Sequence, residues 1–231
     1  MEKTQSVKMV NVSKLYYGKG NPYRALNNVS INFQSGELTA IIGKSGSGKT
    51  TLLNLITGID SANSGKVFIN DTDIQNLSES EKAVFRRNTI GVVFQFFQLM
   101  PTLSVIDNVL LPMEFGSRYS KKQMESIAYQ KLETVGIAEH AMKYPSQLSG
   151  GEQQRTAIAR ALANDPSIII ADEPTGNLDS RTSDKIVNLF HSLAGLNKTI
   201  IMVTHDREMA ADVDRVVTIA DGEVVSDELV N

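Results

Sequence analysis

Between Leu38 and Ile56 the chain reads LTAIIGKSGSGKTTLLNLI: an apolar run, a loop carrying three glycines and two serines, then an apolar helical pattern joined at Lys49. Gly43, Lys44, Ser45, Gly46, Ser47, Gly48, Lys49 and Thr50 satisfy G-x-x-x-x-G-K-[ST], set between a predicted strand and a predicted helix as the pattern requires. Glycines let the backbone curl so that successive amides point inward, and the helix that begins there adds its positive end. The product is a cradle for phosphate oxygens. Lys49 is placed to reach β- and γ-phosphates, the Thr50 hydroxyl to ligate magnesium, and Thr51 follows in the same cradle. A plain glycine-rich turn before a helix is the simpler alternative, and it leaves the full pattern unexplained.

Magnesium needs a carboxylate and hydrolysis needs a base. SIIIADEP supplies both, because a short apolar run of buried-strand type ends in Asp172 and Glu173. Open α/β sheets bind ligands beyond the carboxyl ends of their strands. Asp172 is expected to orient magnesium, mostly through water, and Glu173 to polarise the attacking water. Neighbouring strand residues point to opposite sides, so the two carboxylates can divide these roles only where the strand is ending.

The rest of the chain fits an α/β enzyme. From Val7 to Ile42 it alternates and is rich in turns, which reads as strands, and GKVFIN adds one more. From Ser78 to Asn164 the periodicity is mostly helical, and from there strands and helices alternate to the end. Alternation at these lengths predicts a parallel sheet with crossover helices, with the helical middle as an inserted lobe. Ser120 is expected to cap the helix after SRY, while His140 and His191 read as helix-surface residues. A net charge of −3, with only Arg86-Arg87 and Lys121-Lys122 as tight basic pairs, argues against nucleic acid as a partner. The absence of cysteine excludes disulfides and thiolate metal sites. No apolar run approaches the ~18 residues that cross a bilayer, and MEKTQSVKMV has no apolar signal core, so a soluble protein is expected.

A second anion-binding corner lies at LSGGEQQRTAIARALAN. Ser149, Gly150, Gly151 and Glu152 open a helix whose Ala157, Ile158, Ala161 and Leu162 form an apolar stripe. A serine hydroxyl, glycine amides and a helix N-terminus again suit an anion, although Ser149 is also a plain N-cap. A chain with two phosphate cradles either binds two nucleotides or shares each one across a dimer.

LSGGEQQR, from Leu148 to Arg155, resembles the signature of ATP-binding-cassette ATPases; with Gly43 to Thr50, IIIADE, Gln95 and His205 the resemblance spans essentially the whole chain. IGVVFQFFQLMPTLSVIDNVLLPM, YPSQLSGGEQQRTAIARAL and ADEPTGNLDS are similar to the branch serving lipoprotein release, macrolide efflux and antimicrobial-peptide resistance, with Gly176-Asn177 suggestive of that branch. The resemblance implies an α/β P-loop NTPase: a mainly parallel sheet core, an N-terminal antiparallel β subdomain and an inserted α-helical lobe. One ATP-binding domain would fill residues 1–231, with 1–94 and 165–231 as core and β subdomain and 95–164 as the helical lobe. It also implies ATP and Mg2+ as ligands, held between two copies arranged head to tail, the Lys49 cradle of one facing the Ser149 corner of the other. Gln95 would reach magnesium and the attacking water, and His205 would contact the γ-phosphate. Asp179 would cross the dimer interface, otherwise acting as a helix cap, and Tyr16 rather than Tyr17 would stack on adenine.

By the same resemblance, Phe96 to Met100 and the helical lobe would receive an integral-membrane permease, placing the chain at the cytoplasmic face of the membrane. Composition alone favours core packing for Phe94 to Met100. The expected activity is ATP hydrolysis driving export or extraction of an amphipathic substrate such as a peptide, lipoprotein or antibiotic, with an extracytoplasmic adaptor as a further partner. The alternative is a mechanical complex that regulates an extracytoplasmic protein and moves no solute. A DNA-repair cassette would need a long coiled coil between cradle and signature. Lys49 to Ser149 spans only 149 − 49 = 100 residues without sustained heptads, and a translation factor would carry two cassettes.

Overall fold

The structure, a computed structural model, describes residues 5–18, 21–116, 118–205 and 207–230. In chain order the elements are β1 (Gln5–Tyr16), β2 (Tyr23–Gln34), β3 (Leu38–Ile42), α1 (Lys49–Ile56), β4 (Ser64–Ile69), β5 (Thr72–Asp73), α2 (Glu79–Thr89) and β6 (Ile90–Val93). There follow α3 (Val105–Glu114), α4 (Lys121–Thr134), α5 (Gly150–Leu162), β7 (Ile168–Asp172), α6 (Ser180–Gly195), β8 (Thr199–Val203), α7 (Arg207–Ala210), β9 (Arg215–Ala220) and β10 (Glu223–Leu229).

Two sheets result. The larger has strand order β10-β9-β3-β8-β7-β6, parallel except where β10 turns back along β9. The smaller is antiparallel, β2-β1-β4-β5. SGELTAII, grouped by pattern with the N-terminal strands, instead supplies β3 in the interior of the large sheet, because its residues are apolar on both faces. Leu38 and Ala40 join the core under the helices, while Ile41 joins the core facing the small sheet. The strands β7 and β8 divide the same way, with Ile169, Ala171, Ile200 and Met202 on one side and Ile168, Ile170, Ile201 and Val203 on the other. Burial on both faces is why these strands read as unbroken apolar runs.

Among the described residues the mostly helical middle contains one strand, β6, whose four residues pair with β7. Helices α3, α4 and α5 pack on one another. Four of the helices here begin with a serine whose hydroxyl accepts from the third residue on while that residue's side chain reaches back: Ser78, Ser104, Ser120 and Ser149, with the Ser120 cap as expected.

The small sheet is fastened to the large one at two places, the start of β9 and, at its other end, the turn beside the phosphate cradle. The Arg215 guanidinium, on β9, donates to Asn32 O on β2 at 2.7 Å, and to Asp227 on β10 and Glu37. The turn between β9 and β10 adds backbone bonds from Asn27 N to Gly222 O (2.8 Å) and from Gly222 N to Ser47 O (3.0 Å). The base of the loop is therefore held from two sheets at once.

Candidate functional site

The loop from Gly43 to Gly48 leaves the carboxyl end of β3 and enters α1 at Lys49. Two glycines are demanded by close approach of neighbouring backbone. A Cβ on Gly43 would lie 2.2 Å from Ile219 O, and one on Gly48 would lie 2.5 Å from Ala25 O. Gly48 also sits at φ 107, in the left-handed region, as the residue before the helix. Lys49 is buried and donates to Gly43 O at 2.7 Å and Lys44 O at 2.9 Å, folding its ammonium over the loop.

A cleft of about 530 Å³ opens beside the loop. Gly43, Ser45, Gly46, Gly48, Lys49, Thr50 and Thr51 line one side; Asp172, Glu173, Val203 and His205 line the other. Lys44 and Ser47, expected in the cradle with the rest, line an adjoining hollow that shares Gly43, Ser45, Gly46 and His205 with the cleft and extends to Thr218 and Asp221.

The strand β7 ends at Asp172, which pairs with Val203, and Glu173 leaves the sheet at φ 45 with its amide donating to Val203 O. That break separates the two carboxylates as the sequence required. Burial pushes the Asp172 carboxyl up, the Glu173 charge raises it further, and Lys49 acts in the opposite sense. A carboxyl raised in the folded state costs stability as pH rises through its folded pKa, and the cost is absent below the unfolded value near ~3.9. Asp172→Asn is therefore expected to raise the melting temperature of the nucleotide-free protein by a few degrees at pH 7, the gain shrinking toward pH 4. Calorimetry across that range checks the sign.

Glu173 Oε2 gathers two donors, Gln95 Nε2 at 3.1 Å and His205 Nδ1 at 3.1 Å. Asn177 Nδ2 in turn donates to Gln95 O at 3.0 Å, and a Cβ on Gly176 would stand 3.3 Å from both Gln95 Nε2 and Glu173 Oε2. The Gly176-Asn177 pair thus leaves room for the Gln95–Glu173 contact and fastens its backbone. Among the described residues no three His, Cys, Asp or Glu side chains are grouped to hold a metal ion. One carboxylate, Asp172, with the Thr50 hydroxyl is a donor set for magnesium, which keeps several waters and takes the rest of its ligands from phosphate.

Ser149 caps α5, donating its hydroxyl to Glu152 Oε2 (2.8 Å) and receiving Glu152 N (3.4 Å). Hydrogen bonds from the Ser149 amide and hydroxyl hold the Glu152 carboxyl below its usual range, and His140 Nε2 adds a contact at 2.8 Å to Oε1. His140, expected on a helix surface, is mostly covered and engaged by Glu152, while His191 rests on Asp212 O at 2.7 Å. Gly151 is fixed by packing, since a Cβ there would lie 2.5 Å from Thr182 Cγ2 at the start of α6. Asp179 caps α6, accepting from Thr182 N (3.0 Å) and Thr182 Oγ1 (2.7 Å). In the single chain the N-cap geometry expected as the alternative is present at both Ser149 and Asp179.

Tyr16 donates to Asp60 Oδ2 at 2.8 Å, with the Lys14 ammonium 4.9 Å from its ring centroid, whereas Tyr17 is 74% exposed. Tyr23, missed by the sequence reading, stands at the rim of the cleft and donates to Gly46 O at 2.8 Å. Asn177, read from the sequence only as a mark of the branch, and His140, read only as a helix-surface residue, prove to be supports as well. Of Phe94 to Met100 none is buried: Phe94, Phe96 and Met100 are exposed, so the core packing that composition favoured is overturned. Beside them Phe94, Val84, Leu111, Pro112, Phe115 and Arg160 line an apolar groove of about 570 Å³.

The ABC transporter family profile matches residues 26–176. An uncharacterized ABC transporter ATP-binding protein of Methanocaldococcus jannaschii is 44% identical over 222 residues, covering 96% of this chain and 97% of that one. The macrolide export ATP-binding/permease protein MacB of Chlorobaculum tepidum is 43% identical over 221 residues, covering 96% of this chain but 34% of that protein. Among solved structures, a dimeric ATP-binding cassette in a post-hydrolysis state bound to ADP and Pi superposes with a TM-score of 0.89 at 42% identity, covering 97% of this chain and 99% of that one.

Proposed function

The chain belongs to the ABC transporter family as its ATP-binding and ATP-hydrolysing component, and from that premise we propose that two copies close head to tail on ATP to drive a membrane complex exporting or extracting an amphipathic substrate. The observation that carries the dimer is the placement of the two anion-binding corners. Ser149 to Glu152 are absent from the lining of the cleft that Lys49, Asp172 and Glu173 share, so within one chain the nucleotide tail meets only half of the available donors. A second copy turned the opposite way supplies the other half.

Within each closed site the roles divide by chemistry. The loop amides and the Lys49 ammonium take up phosphate charge, Lys49 exchanging its two carbonyl partners for phosphate oxygens. Thr50 and Asp172 would hold magnesium, with Gln95 completing the set. When bound there, magnesium would supply neutralisation of phosphate charge. Glu173 orients and deprotonates the attacking water, and Gln95 and His205, both already on its Oε2, position that carboxylate. The partner copy's Ser149 hydroxyl and Gly150 and Gly151 amides bind the γ-phosphate from the far side. Hydrolysis splits the bridging group, and the copies separate.

The groove at Val84, Phe94, Leu111 and Phe115, with exposed Phe96 and Met100 beside it, is the surface for a helix of the membrane subunit. The export reading draws on MacB, whose name joins an ATP-binding and a permease part. Affinity purification of the tagged chain from detergent-solubilised membranes tests it: a permease should co-purify, and the Val84→Asp, Phe115→Asp double variant should lose it while hydrolysing ATP alone at the ordinary rate. Stimulation of the reconstituted complex by a peptide, lipoprotein or macrolide supports export. Stimulation only by an extracytoplasmic protein, with no solute moved, supports the mechanical alternative, and recovery of no membrane protein contradicts both.

A further inference from the structure

We propose that Tyr23 is a second aromatic contact for the nucleotide, its ring covering the ribose while its hydroxyl fixes the Gly46 end of the phosphate loop. The inference rests on the reading of the cleft as the ATP site and adds a residue that neither the loop pattern nor the adenine platform includes.

Tyr16 and Tyr23 are directly paired across β1 and β2. Residues opposite each other in an antiparallel ladder project on the same face with Cβ atoms about 5 Å apart. From that shared origin the two side chains diverge. Tyr16 reaches Asp60 Oδ2, whereas Tyr23 reaches Gly46 O at 2.8 Å and lines the cleft with Lys49, Thr50 and Thr51. A nucleotide with its base on Tyr16 and its phosphates on the loop must pass its sugar between them, and Tyr23 occupies that interval.

Two features fit contact with a ligand. Tyr23 is 54% exposed although its hydroxyl is already engaged, so an apolar ring face is left in water at the edge of a binding cleft. Gly46 sits at φ +79, and a Cβ built there would meet nothing within 4 Å. The loop tip therefore has open space around it, and the phenol supplies a side-chain tether to its carbonyl. Ordering the tip before ATP arrives lowers the entropy lost on binding.

The chain contains no tryptophan, so Tyr23→Trp installs a single indole at the position in question. In titrations with Mg-ADP, the emission of Tyr23→Trp and of Tyr16→Trp should change saturably with similar midpoints, while Tyr17→Trp stays flat. In parallel, Tyr23→Phe, which keeps the ring and loses the tether, should raise KM for ATP about fivefold, as expected for one neutral hydrogen bond. Its kcat at saturation and melting temperature should hold. A flat Tyr23→Trp signal in a titration to which Tyr16→Trp responds, or an unaltered KM in Tyr23→Phe, overturns the role of Tyr23 and leaves the ATP site standing. Failure of the wild type itself to bind ADP in equilibrium dialysis removes the site and the proposal together.

Discussion

Glu173→Gln keeps ATP bound and stops turnover, with kcat lower by roughly 10²–10⁴, the usual contribution of a positioned general base. The substitution keeps the shape of the side chain and removes its charge. One amide oxygen still serves the two donors, Gln95 Nε2 and His205 Nδ1, that now meet on Oε2, so the pocket is expected to hold its form. Nothing about Lys49 or the loop amides changes, and nucleotide affinity should stay within about twofold. Because the bridging triphosphate is never split, the closed pair accumulates. Single-turnover phosphate release together with equilibrium ATP binding separates the two quantities, and near-normal hydrolysis would remove Glu173 from the role given to it.

Lys49→Ala has the complementary signature, a loss of binding. The buried ammonium rests on Gly43 O and Lys44 O, two neutral acceptors that phosphate oxygens replace with gain. Hydrogen bonds to charged groups contribute about 1.5–3 kcal/mol each, so losing the lysine should weaken ATP binding by roughly 10²-fold or more. Lys49→Arg should not rescue it, because a planar fork cannot replace a compact ammonium at the floor of a loop this tight. Titration calorimetry gives the affinity directly. An unchanged dissociation constant in Lys49→Ala would count against the loop as the phosphate site.

The parts of this fold that sequence made legible are those whose physics is local. The Gly43 to Thr50 pattern, the apolar runs of β7 and β8 and the serine-glycine opening of α5 each announce themselves within about ten residues, because backbone curl, strand burial and helix capping are settled there. The strand assignment of SGELTAII was correct, but its sheet was not readable, since pairing with Ile200 to Val203 and with Arg215 to Thr218 joins segments over 150 residues away.

The same distinction runs through the site. Asp172 ends β7, Glu173 follows it and His205 lies two residues beyond β8, and a strand end is visible in the pattern. The supports of that site were hidden, because each depends on a long-range contact: Asn177 on Gln95, His140 on Glu152, and Tyr23 on Gly46. Tyr23 offered one signal, a tyrosine at the start of a strand leading into the cradle's neighbour, and nothing local distinguished it from an ordinary edge-strand aromatic. Phe94 to Met100 misled by composition, since an aromatic cluster suits a core as well as a docking face. Only the exposure of Phe96 and Met100 decides between them.

Sedimentation of Glu173→Gln with and without Mg-ATP tests the shared-site account most directly. The account predicts a dimer with ATP, carrying two nucleotides, and a monomer with ADP or with a Ser149→Arg substitution added. A variant that binds ATP to full occupancy and sediments as a monomer throughout would contradict it.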